Sequence, residues 1–467
     1  VRCLHPVQVF FSPLIRPSNK ISTPMSRSTV IVAASVLLLA GVSALPPVVV
    51  VDNHLQVDGT QFIPRGSNYI RLNGSQGTSP PLPVYHSTFS PLLFNGTEAA
   101  AALTTMRSYW YNTVRVFIDP GENRGDGIGG EPAATAPLSS RYLDNVATWL
   151  SLAEKNGIYT LCTLCGLPSN VFYRNLTGSW EGSCGGVNCA YTQRSFQDAK
   201  ADYVTRFVSE LGNRLGKAGL NAIFAIELEN EQARPFRPHP KPSQFVQSTS
   251  LPWSAVTGTV HLSGPNASYD MADPTNRQAA NDDALSSWVN RIADHFHKSF
   301  SSPLLTLGLF TFQAVGKQGP NGIPVGTADP RFPGRPVVVN SRTRLDVLDV
   351  HVYPKDGTWN LASDLASSEF GHPGVHAKPI MMGEFGAFRS FFNESYVTPL
   401  VQLERDTCGY GISGWLCWTW DTWEQPRLHY MTEQSQQLAK ALSPMQRKRI
   451  CSTHLNLTIA PHFKVVQ

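Results

Sequence analysis

The chain has 467 residues, of which 42% are hydrophobic and 15% are charged, and its formal net charge is +4. This composition is that of a globular protein with a sizeable core, and it excludes a disordered chain. The small net charge, without a long run of like charges, argues against a nucleic-acid partner. At this length the chain can form one large domain or two ordinary ones.

The first segment of the chain carries a targeting pattern. Arg27 precedes an apolar run at residues 30–40, and the small residues Val-Ser-Ala follow at 42–44. A run this short, followed by two prolines, is typical of a secretory signal peptide and too short for a comfortable membrane anchor. We therefore predict a signal peptide at residues 25–44, preceded at residues 1–24 by an upstream extension that is not native to the protein.

Cysteines and glycosylation sequons agree with export. Cys184 and Cys189 lie in a Gly-rich stretch and are predicted to close a small disulfide loop, and Cys408 with Cys417 is a candidate second pair. Of the eight cysteines, seven follow the predicted signal peptide, so at least one is free or pairs between chains. Sequons for N-glycosylation occur at Asn73, Asn95, Asn175, Asn266, Asn393 and Asn456. We expect a secreted glycoprotein with disulfides.

Along the rest of the chain, apolar runs typical of strands alternate with amphipathic helices. Helical spacing of apolar residues is clear within 143–150, 196–211 and 285–296. Eight strands are predicted: Phe62–Tyr69, Thr113–Ile118, Ile158–Leu164, Ala222–Leu228, Leu304–Phe310, Leu345–Val352, Pro379–Glu384 and Ile412–Trp418. This alternation predicts an α/β fold, a (β/α)8 TIM barrel that forms a single catalytic domain at residues 48–442.

Long segments between the predicted elements indicate where a site lies. Residues 119–137 and 232–274 follow the second and fourth strands, at the C-terminal strand ends where barrel enzymes build their active sites. Residues 313–342, between the fifth and sixth strands, are rich in Gly and Pro and are predicted to form a long loop without a helix. The tail at residues 443–467 has no periodicity and is predicted to be disordered or foreign to the fold.

One short motif suggests a metal or redox pair but has a simpler interpretation. Cys162 and Cys165 lie within the third predicted strand, where residues three apart point to opposite faces. Two buried thiols are therefore predicted. The sequence contains no H-E-x-x-H, P-loop or G-x-S-x-G pattern, which lowers the expectation of a zinc protease, a nucleotide hydrolase or a serine esterase.

Three alternating carboxylates end the fourth predicted strand. Glu227, Glu229 and Glu231 would share one face of a strand, with apolar residues on the face towards the helices. Buried charge is costly unless it is paired or protonated, so an acidic set facing the barrel axis indicates a function. The alternative, a helix start capped by Asn230, does not explain Glu227 and Glu229 together.

A single carboxylate, Glu384, ends the seventh predicted strand. Strands four and seven lie across the mouth of an eight-stranded barrel, so Glu231 and Glu384 can flank a scissile glycosidic bond. Such a pair works when one carboxyl is protonated near neutral pH and the other is ionised. A separation of about 5–5.5 Å gives a covalent glycosyl-enzyme and retention, whereas a wider gap admits water and gives inversion.

The two acidic motifs resemble those of glycoside hydrolase family 5, a family of retaining barrel hydrolases. The pattern is closest to the endo-β-1,4-mannanase and cellulase-like members. Glu227-Leu-Glu-Asn-Glu231 is similar to the strand-four motif of the family, whose last Glu is the acid/base. Gln232 stands where the family commonly has Pro. Glu384 matches the strand-seven nucleophile, and the resemblance extends over about residues 60–420.

The same resemblance implies a set of substrate-binding residues. Arg115 would support the nucleophile and keep its carboxylate ionised. Asn230 would contact the sugar 2-hydroxyl, an interaction that strengthens in the transition state. His351 and Tyr353 would line the cleft, with Tyr353 donating a hydrogen bond to the nucleophile. Trp418 would be the stacking platform at the reacting sugar. The resemblance implies no cofactor and no metal.

The sequence thus predicts a secreted, monomeric retaining glycoside hydrolase that acts on a β-linked polysaccharide or oligosaccharide such as mannan or glucan. No nucleic-acid partner and no stable membrane anchor are expected. Two alternatives stay open. One is an exo-acting β-glycosidase or a transglycosylase on the same barrel, with the segments at 119–137 and 232–274 closing one end of the cleft. The other is a non-catalytic glycan-binding barrel, which the presence of both carboxylates with their supports disfavours.

Overall fold

The computed structural model describes most of the chain beyond residue 43. The chain divides into two units, Val1–Ser43 and Ala44–Gln467, and every described residue lies in the second. No helix within the described ranges is long and apolar enough to cross a membrane. The predicted signal peptide and upstream extension lie outside the description, apart from Ala44. The described residues are 44–71, 73–74, 83–84, 87–121, 126–178, 189–230, 258–310, 335–353, 378–392, 395–422, 428–447 and 450–451.

A parallel barrel sheet forms the centre of the molecule and confirms the predicted (β/α)8 fold. The barrel strands are β1 (Arg65–Asn68), β2 (Thr113–Ile118), β3 (Tyr159–Leu164), β4 (Ile223–Glu227), β5 (Leu304–Thr306), β5′ (Gly308–Phe310), β6 (Leu348–Val352), β7 (Ile380–Phe385) and β8 (Ile412–Cys417). These nine segments lie in the order β5-β4-β3-β2-β1-β8-β7-β6-β5′. The two end segments, β5 and β5′, are parts of one strand interrupted at Leu307, so the sheet closes.

Helices pack around the barrel. The three segments with predicted helical spacing of apolar residues, 143–150, 196–211 and 285–296, lie in helices α2, α5 and α6. Several helices have a capping side chain at their N-terminus, such as Asn95 before α1 and Ser139 before α2. The helices are α1 (Gly96–Ser108), α2 (Ser140–Lys155), α3 (Val171–Thr177), α4 (Cys189–Thr192), α5 (Arg194–Gly219), α6 (Pro274–Phe296), α7 (Pro336–Arg342), α8 (Val397–Asp406) and α9 (Glu433–Ala441). Antiparallel pairing outside the barrel joins Val49–Val51 to His54–Val57 and then Thr60–Gln61, Thr259–Leu262 to Ala267–Asp270, and Asn73–Gly74 to Pro83–Val84.

Apolar side chains fill the barrel interior towards the N-terminal ends of the strands. Leu161, Phe224 and Met381 from three barrel strands pack with Leu55 and Phe62, which precede β1. The antiparallel strands before β1 therefore cover the N-terminal end of the barrel. The polar interior lies at the C-terminal end, which is the end where a functional site is expected.

The segment between the fifth and sixth barrel strands differs from its prediction. Helix α7 occupies Pro336–Arg342, within the stretch at 313–342 that was predicted to have no helix. Proline suits the first turn of a helix because its missing N–H is not needed there. Val338 and Val339, which follow, are buried. Residues 313–334 of the same stretch lie outside the described part of the chain.

The disulfide pattern also differs from its prediction. Cys408 bonds to Cys451, with their Cα atoms 5.7 Å apart, and not to Cys417. Cys417 is a buried thiol at the far end of β8, and the length of that strand separates it from Cys408. Cys162 and Cys165 are buried thiols, as predicted. The loop predicted between Cys184 and Cys189 falls partly outside the described residues.

The segment after α9 is attached to the barrel at residues where a disordered tail was expected to begin. Arg65 at the start of β1 donates hydrogen bonds to the carbonyl oxygens of Leu442, at 2.5 Å, and Arg447, at 2.7 Å. Both Arg65 and Arg447 pair with Glu404 of α8. Buried backbone carbonyls with charged donors hold a chain in place, so the attachment extends at least to the disulfide at Cys451.

Candidate active site

The C-terminal end of the barrel brings together most of the residues predicted for the site. Arg115 lies on β2, His351 on β6 and Glu384 on β7, and Tyr353 and Trp418 directly follow β6 and β8. All five are described, and so is Asn230 after β4. Glu231, the predicted acid/base, lies outside the described residues, so its distance from Glu384 stays a prediction.

Two hydrogen bonds hold the carboxylate of Glu384. Its Oε1 lies 2.5 Å from Nη1 of Arg115, and its Oε2 accepts a hydrogen bond of 2.8 Å from the hydroxyl of Tyr353. Nδ1 of His351 lies 3.7 Å from Oε1. The side chain is nearly buried, with a relative exposure of 4%. Charge-assisted hydrogen bonds to both oxygens fix the orientation of this carboxylate, as the family resemblance implies.

Arg115 is the positive centre of this end of the barrel. Its side chain is fully buried and donates to Glu227 at 2.8 Å, to Asn68 at 2.8 Å and to Asn230 at 2.7 Å, in addition to Glu384. Burial by itself lowers the pKa of a guanidinium, but the neighbouring carboxylates, Glu227 first, raise the pKa of Arg115 above its ordinary value. The guanidinium therefore stays charged and can neutralise one of the two carboxylates it touches.

Asn230 is oriented by its bond to Arg115. The carbonyl oxygen of its side chain accepts from Nη2 of Arg115, so the amide group directs its N–H donors elsewhere. The residue is only partly buried, unlike its neighbours in β4. This arrangement suits donation to a hydroxyl of a bound sugar, the contact that the family resemblance implies.

Glu227 and Glu229, two of the three alternating carboxylates, do not share one face of a strand. Glu227, the last residue of β4, points into the barrel, where it accepts hydrogen bonds from Arg115 and Thr163. Glu229 instead accepts from the backbone N–H of Gly166 at 2.8 Å, and it lies 4.0 Å from Nζ of Lys200. The strand ends at Glu227, so strict alternation stops there. The prediction of a common face is corrected to this extent, because Glu229 turns towards the loop after β3.

Lys200 supports that loop from helix α5. Its buried ammonium donates to the carbonyl oxygens of Leu164, at 2.6 Å, and Gly166, at 2.7 Å. Glu229 accepts a hydrogen bond from the N–H of Gly166. The ion pair of Lys200 and Glu229 thus satisfies backbone groups at the end of β3. Leu164 and Gly166 are thus tied to the residue that immediately precedes Asn230.

A further buried carboxyl, Asp349, faces the interior from β6. Nε2 of His351 lies 3.9 Å from its Oδ1 and 3.7 Å from Oε1 of Glu227. Burial raises the pKa of Asp349 to about 7, and the charge of Glu227 adds to that effect, while His351 and Arg115 oppose it. The pKa of Glu227 is held below its ordinary value: burial raises it, but Arg115 and then His351 lower it further.

Among the described residues, Glu227, Asp349 and His351 are the set that could hold a metal ion, with one ligand atom of each within 4.8 Å of the others. Arg115 already neutralises Glu227, and its guanidinium would repel a second cation. A proton on Asp349 satisfies the same charge requirement without an ion. The absence of a metal therefore stays a prediction.

Trp418 directly follows β8 at the C-terminal end of the barrel. Its ring contacts Phe117 edge to face, with the centroids 5.7 Å apart, and both belong to an apolar cluster at the mouth with Ile70 and Cys165. Its backbone N–H bonds to Phe385, the residue after Glu384. These contacts hold the ring at the mouth of the barrel and tie its backbone to the residue after Glu384, and its role as a stacking platform stays a prediction.

Two polar residues that sequence reasoning did not assign to the site take part in it. Asn68 at the end of β1 accepts from Arg115 and donates to the carbonyl of Gly383 at 2.9 Å. Asp349 accepts from the backbone N–H of the same Gly383. Their signal in the sequence is an Asn and an Asp at inward positions of two strands, which shows burial but not the partner.

Comparisons with known proteins agree with the barrel. No family model and no curated protein sequence matches the chain. An endo-1,4-β-mannanase from Rhizomucor miehei has a similar structure, with a TM-score of 0.52 and 13% identity over 86% of this chain and 100% of that chain. A β-1,4-mannanase from the sea hare Aplysia kurodai gives a TM-score of 0.50 and 14% identity over 86% and 97%.

A GH5_18 protein from Streptomyces cattleya in complex with Manβ1-4GlcNAc is also similar, with a TM-score of 0.50 and 15% identity over 83% of this chain and 81% of that chain. Identities this low show a shared fold and do not by themselves transfer an activity. The chain therefore resembles family 5 mannanases in its barrel as well as in its sequence motifs.

Proposed function

We propose that the protein is a retaining glycoside hydrolase of β-linked polysaccharides, with Glu384 as the nucleophile and Glu231 as the acid/base. One observation carries the proposal: a nearly buried carboxylate at the mouth of a barrel is held on both oxygens by Arg115 and Tyr353. A carboxylate prepared in this way is an anion fixed in one orientation. That is what a glycosidase nucleophile needs.

The reaction we propose has two displacements. Glu384 attacks the anomeric carbon and forms an ester bond to the sugar, while Glu231 gives its proton to the departing glycosidic oxygen. Glu231 then takes a proton from water, whose oxygen attacks the same carbon and releases Glu384 as a carboxylate. Asn230 donates to the sugar 2-hydroxyl during both steps, and Arg115 stabilises the nucleophile when its charge returns.

β-Mannan is the substrate we expect first, and β-glucan the second. Support for mannan comes from the fold shared with the mannanases of Rhizomucor miehei and Aplysia kurodai. Support for any β-linked polymer comes from the sequence motifs around Glu231 and Glu384. We infer an exported protein that meets such polymers outside the cell.

The test is hydrolysis of soluble β-mannan, β-glucan and xylan by the mature protein. Glu384→Gln is expected to lower kcat by more than about 10³-fold, since it removes the nucleophile. Glu231→Gln is expected to lower it by about 10²–10⁴-fold, the usual contribution of a general acid. Glu210→Gln, which alters a surface pair with Arg214 on α5, is the matched control and should be as active as the parent.

Product analysis separates the alternatives. Early release of oligosaccharides of mixed length supports endo action, whereas monosaccharide or disaccharide alone supports an exo-acting enzyme, and elongated products indicate a transglycosylase. The anomer formed first, followed by NMR, must have the configuration of the substrate. If no polymer is cut, or if both variants match the parent, the glycan-binding interpretation replaces the enzyme.

Export and glycosylation form a separate part of the proposal. Three predicted glycosylation sites are described and exposed, namely Asn95, Asn175 and Asn266. Production in a eukaryotic secretory host should give a protein that begins at or after Leu45 and loses mass on enzymatic deglycosylation. Residues before Leu45 in the mature protein would contradict the signal peptide.

A further inference from the structure

Strand β7 is irregular immediately before Glu384. Along the ladder between β6 and β7, Asp349 pairs with Met381, but His351 pairs with Glu384, so β7 has one residue more than β6 in this interval. Extra residues of this kind form a β-bulge, which bends a strand and turns the side chains that follow.

The bulge changes which side of the sheet Glu384 faces. Met381 packs inside the barrel and Met382 packs outside, against the helices. Gly383 faces inside again, because a Cβ atom there would lie 2.0 Å from Oδ2 of Asp349. Glu384 also faces inside, towards Arg115. Regular alternation would have directed Glu384 to the helices, so its place in the site depends on the bulge.

Side chains from two other strands hold the bulge through the backbone of Gly383. Its N–H donates to Oδ1 of Asp349 on β6, and its carbonyl oxygen accepts from the side-chain amide of Asn68 on β1 at 2.9 Å. Both polar groups of this residue are thereby satisfied by side chains instead of the sheet ladder. Asn68 also accepts from Arg115, which links the bulge to the guanidinium.

Burial of Asp349, together with the charge of Glu227, favours its uncharged form, while His351 and Arg115 oppose it. The groups that face it are His351 from its own strand, Glu227 from β4, Arg115 from β2 and Glu384 from β7. Arg115 supplies one positive charge against the two carboxylates of Glu227 and Glu384. A third buried carboxylate would add uncompensated negative charge, whereas a carboxylic acid still accepts the N–H of Gly383. Burial is the largest cause that raises the pKa of Asp349 to about 7, and the charge of Glu227 adds to it.

We propose that Asp349 is a positioning residue that holds the bulge at Gly383 and so directs Glu384 into the site. This rests on the proposed function of Glu384 as the nucleophile. Ionisation of Asp349 adds a further negative charge around Arg115, the cation that Glu384 contacts, and so disfavours the ionised nucleophile. The protein is therefore most active at a pH at which Asp349 keeps its proton.

The experiment compares Asp349→Asn and Asp349→Ala with the parent on β-mannan from pH 5 to pH 9. Asparagine keeps an acceptor for Gly383 and is never charged, so Asp349→Asn should stay within about threefold of the parent kcat at pH 6 and lose less activity towards pH 8. Alanine removes the bond, so Asp349→Ala should lower kcat by about 10-fold or more while KM changes by less than about threefold.

Asp346→Ala is the matched control. Asp346 lies just before β6, at the opposite end of the barrel, where its side chain accepts a backbone N–H from Leu305 at 2.7 Å. Its substitution removes the same kind of bond three residues away from Asp349. It should leave kcat and the pH profile unchanged.

Three outcomes would overturn the proposal: an Asp349→Ala variant with the parent kcat, an Asp349→Asn variant as inactive as Asp349→Ala, or an unchanged alkaline limb in Asp349→Asn. If the parent itself cuts no polymer, the proposed function fails and crystal structures of both variants decide the positioning. A Glu384 side chain displaced in Asp349→Ala and in place in Asp349→Asn supports it, and one that is in place in both refutes it.

Discussion

At the residue scale, a substitution of Tyr353 tests the orientation of the nucleophile separately from the binding of substrate. Tyr353→Phe removes only the hydroxyl that donates to Oε2 of Glu384. Hydrogen bonds to charged groups contribute about 1.5–3 kcal/mol, so kcat should fall about 10- to 100-fold with little change in KM. Steady-state kinetics on the substrate identified first would measure this.

Tyr269→Phe provides the comparison for that variant. The hydroxyl of Tyr269 donates to Asp283 at 2.7 Å, a tyrosine–carboxylate bond made by residues before and within α6. Its loss should leave kcat unchanged. A Tyr353→Phe enzyme with normal kcat would mean that Arg115 alone orients the nucleophile.

Asp349 should make the stability of the protein depend on pH in an unusual direction. Its pKa rises from 3.8 in the unfolded chain to about 7 in the folded protein, so between these values only the folded state holds the proton. The free energy of unfolding of the parent therefore loses up to about 1.4 kcal/mol per pH unit from this group as pH rises towards 7, and is flat above.

Asp349→Asn has no such contribution. Denaturant unfolding from pH 5 to pH 8 should show the variant gaining stability relative to the parent up to about pH 7, with no further gain above it. A difference between variant and parent that is constant across this range would show that Asp349 is ionised in the folded protein.

Sequence and structure agree best on residues whose partners are other side chains. Arg115 and Tyr353 could be assigned to Glu384 because the motifs around them are specific in residue type and in chain order. The contribution of Asn68 and Asp349 could not be predicted, because their partner is the backbone of Gly383, which leaves no signature in the sequence of either strand.

At the scale of elements, the bulge in β7 leaves no room for a side chain at Gly383, and the sequence alone does not reveal this. A Cβ atom at this position would meet the carboxyl group of Asp349 at 2.0–2.5 Å. Gly383→Ala should therefore displace the strand and abolish most activity. It should also lower stability by about 1–3 kcal/mol, the usual cost of overpacking.

A double-mutant cycle with Asp349→Ala tests that cause. In the Asp349→Ala background the obstructing carboxyl is absent, so adding Gly383→Ala should cost less stability than it does in the parent. Equal costs in both backgrounds would indicate that backbone freedom at Gly383, and not the contact with Asp349, is what the position requires.

Strands were predicted more reliably than the segments between them. Buried parallel strands such as β2 are continuous apolar runs, and the predicted bounds of β2, 113–118, are those observed. Helix α7 was missed because a seven-residue helix that begins with Pro has too few turns to show periodicity. The pairing of Cys408 with Cys451 depends on where the chain returns after α9, which cysteine spacing does not reveal.

At the scale of the whole molecule, the disulfide between Cys408 and Cys451 closes a loop with a sequence separation of 43 residues around β8 and α9. Loop-closure entropy predicts a stabilisation of about 4 kcal/mol for a loop of this length. Cys451→Ser should lower the free energy of unfolding by up to that amount, as measured by denaturant titration.

Activity at 25 °C should persist in the Cys451→Ser variant. The disulfide lies beyond the N-terminal end of β8, whereas Trp418 and the site lie at its other end. Cys417→Ser is the control for loss of a thiol without loss of a crosslink. A Cys451→Ser protein as stable as the parent would show that Arg65, Glu404 and Arg447 suffice to hold this segment.

Closure of the barrel has a consequence for how the protein is made. Strand β1 pairs with β8, and Ser67 donates to the carbonyl of Cys417, 350 positions later. A ribosome adding about 5–20 residues per second needs roughly 20–70 s to supply that partner. Until then one edge of β1 is unpaired, and Asn68 and Arg65 lack the hydrogen-bond partners that lie later in the chain. The barrel thus closes only after β8 has been synthesised, and the nascent chain needs protection from aggregation throughout that interval.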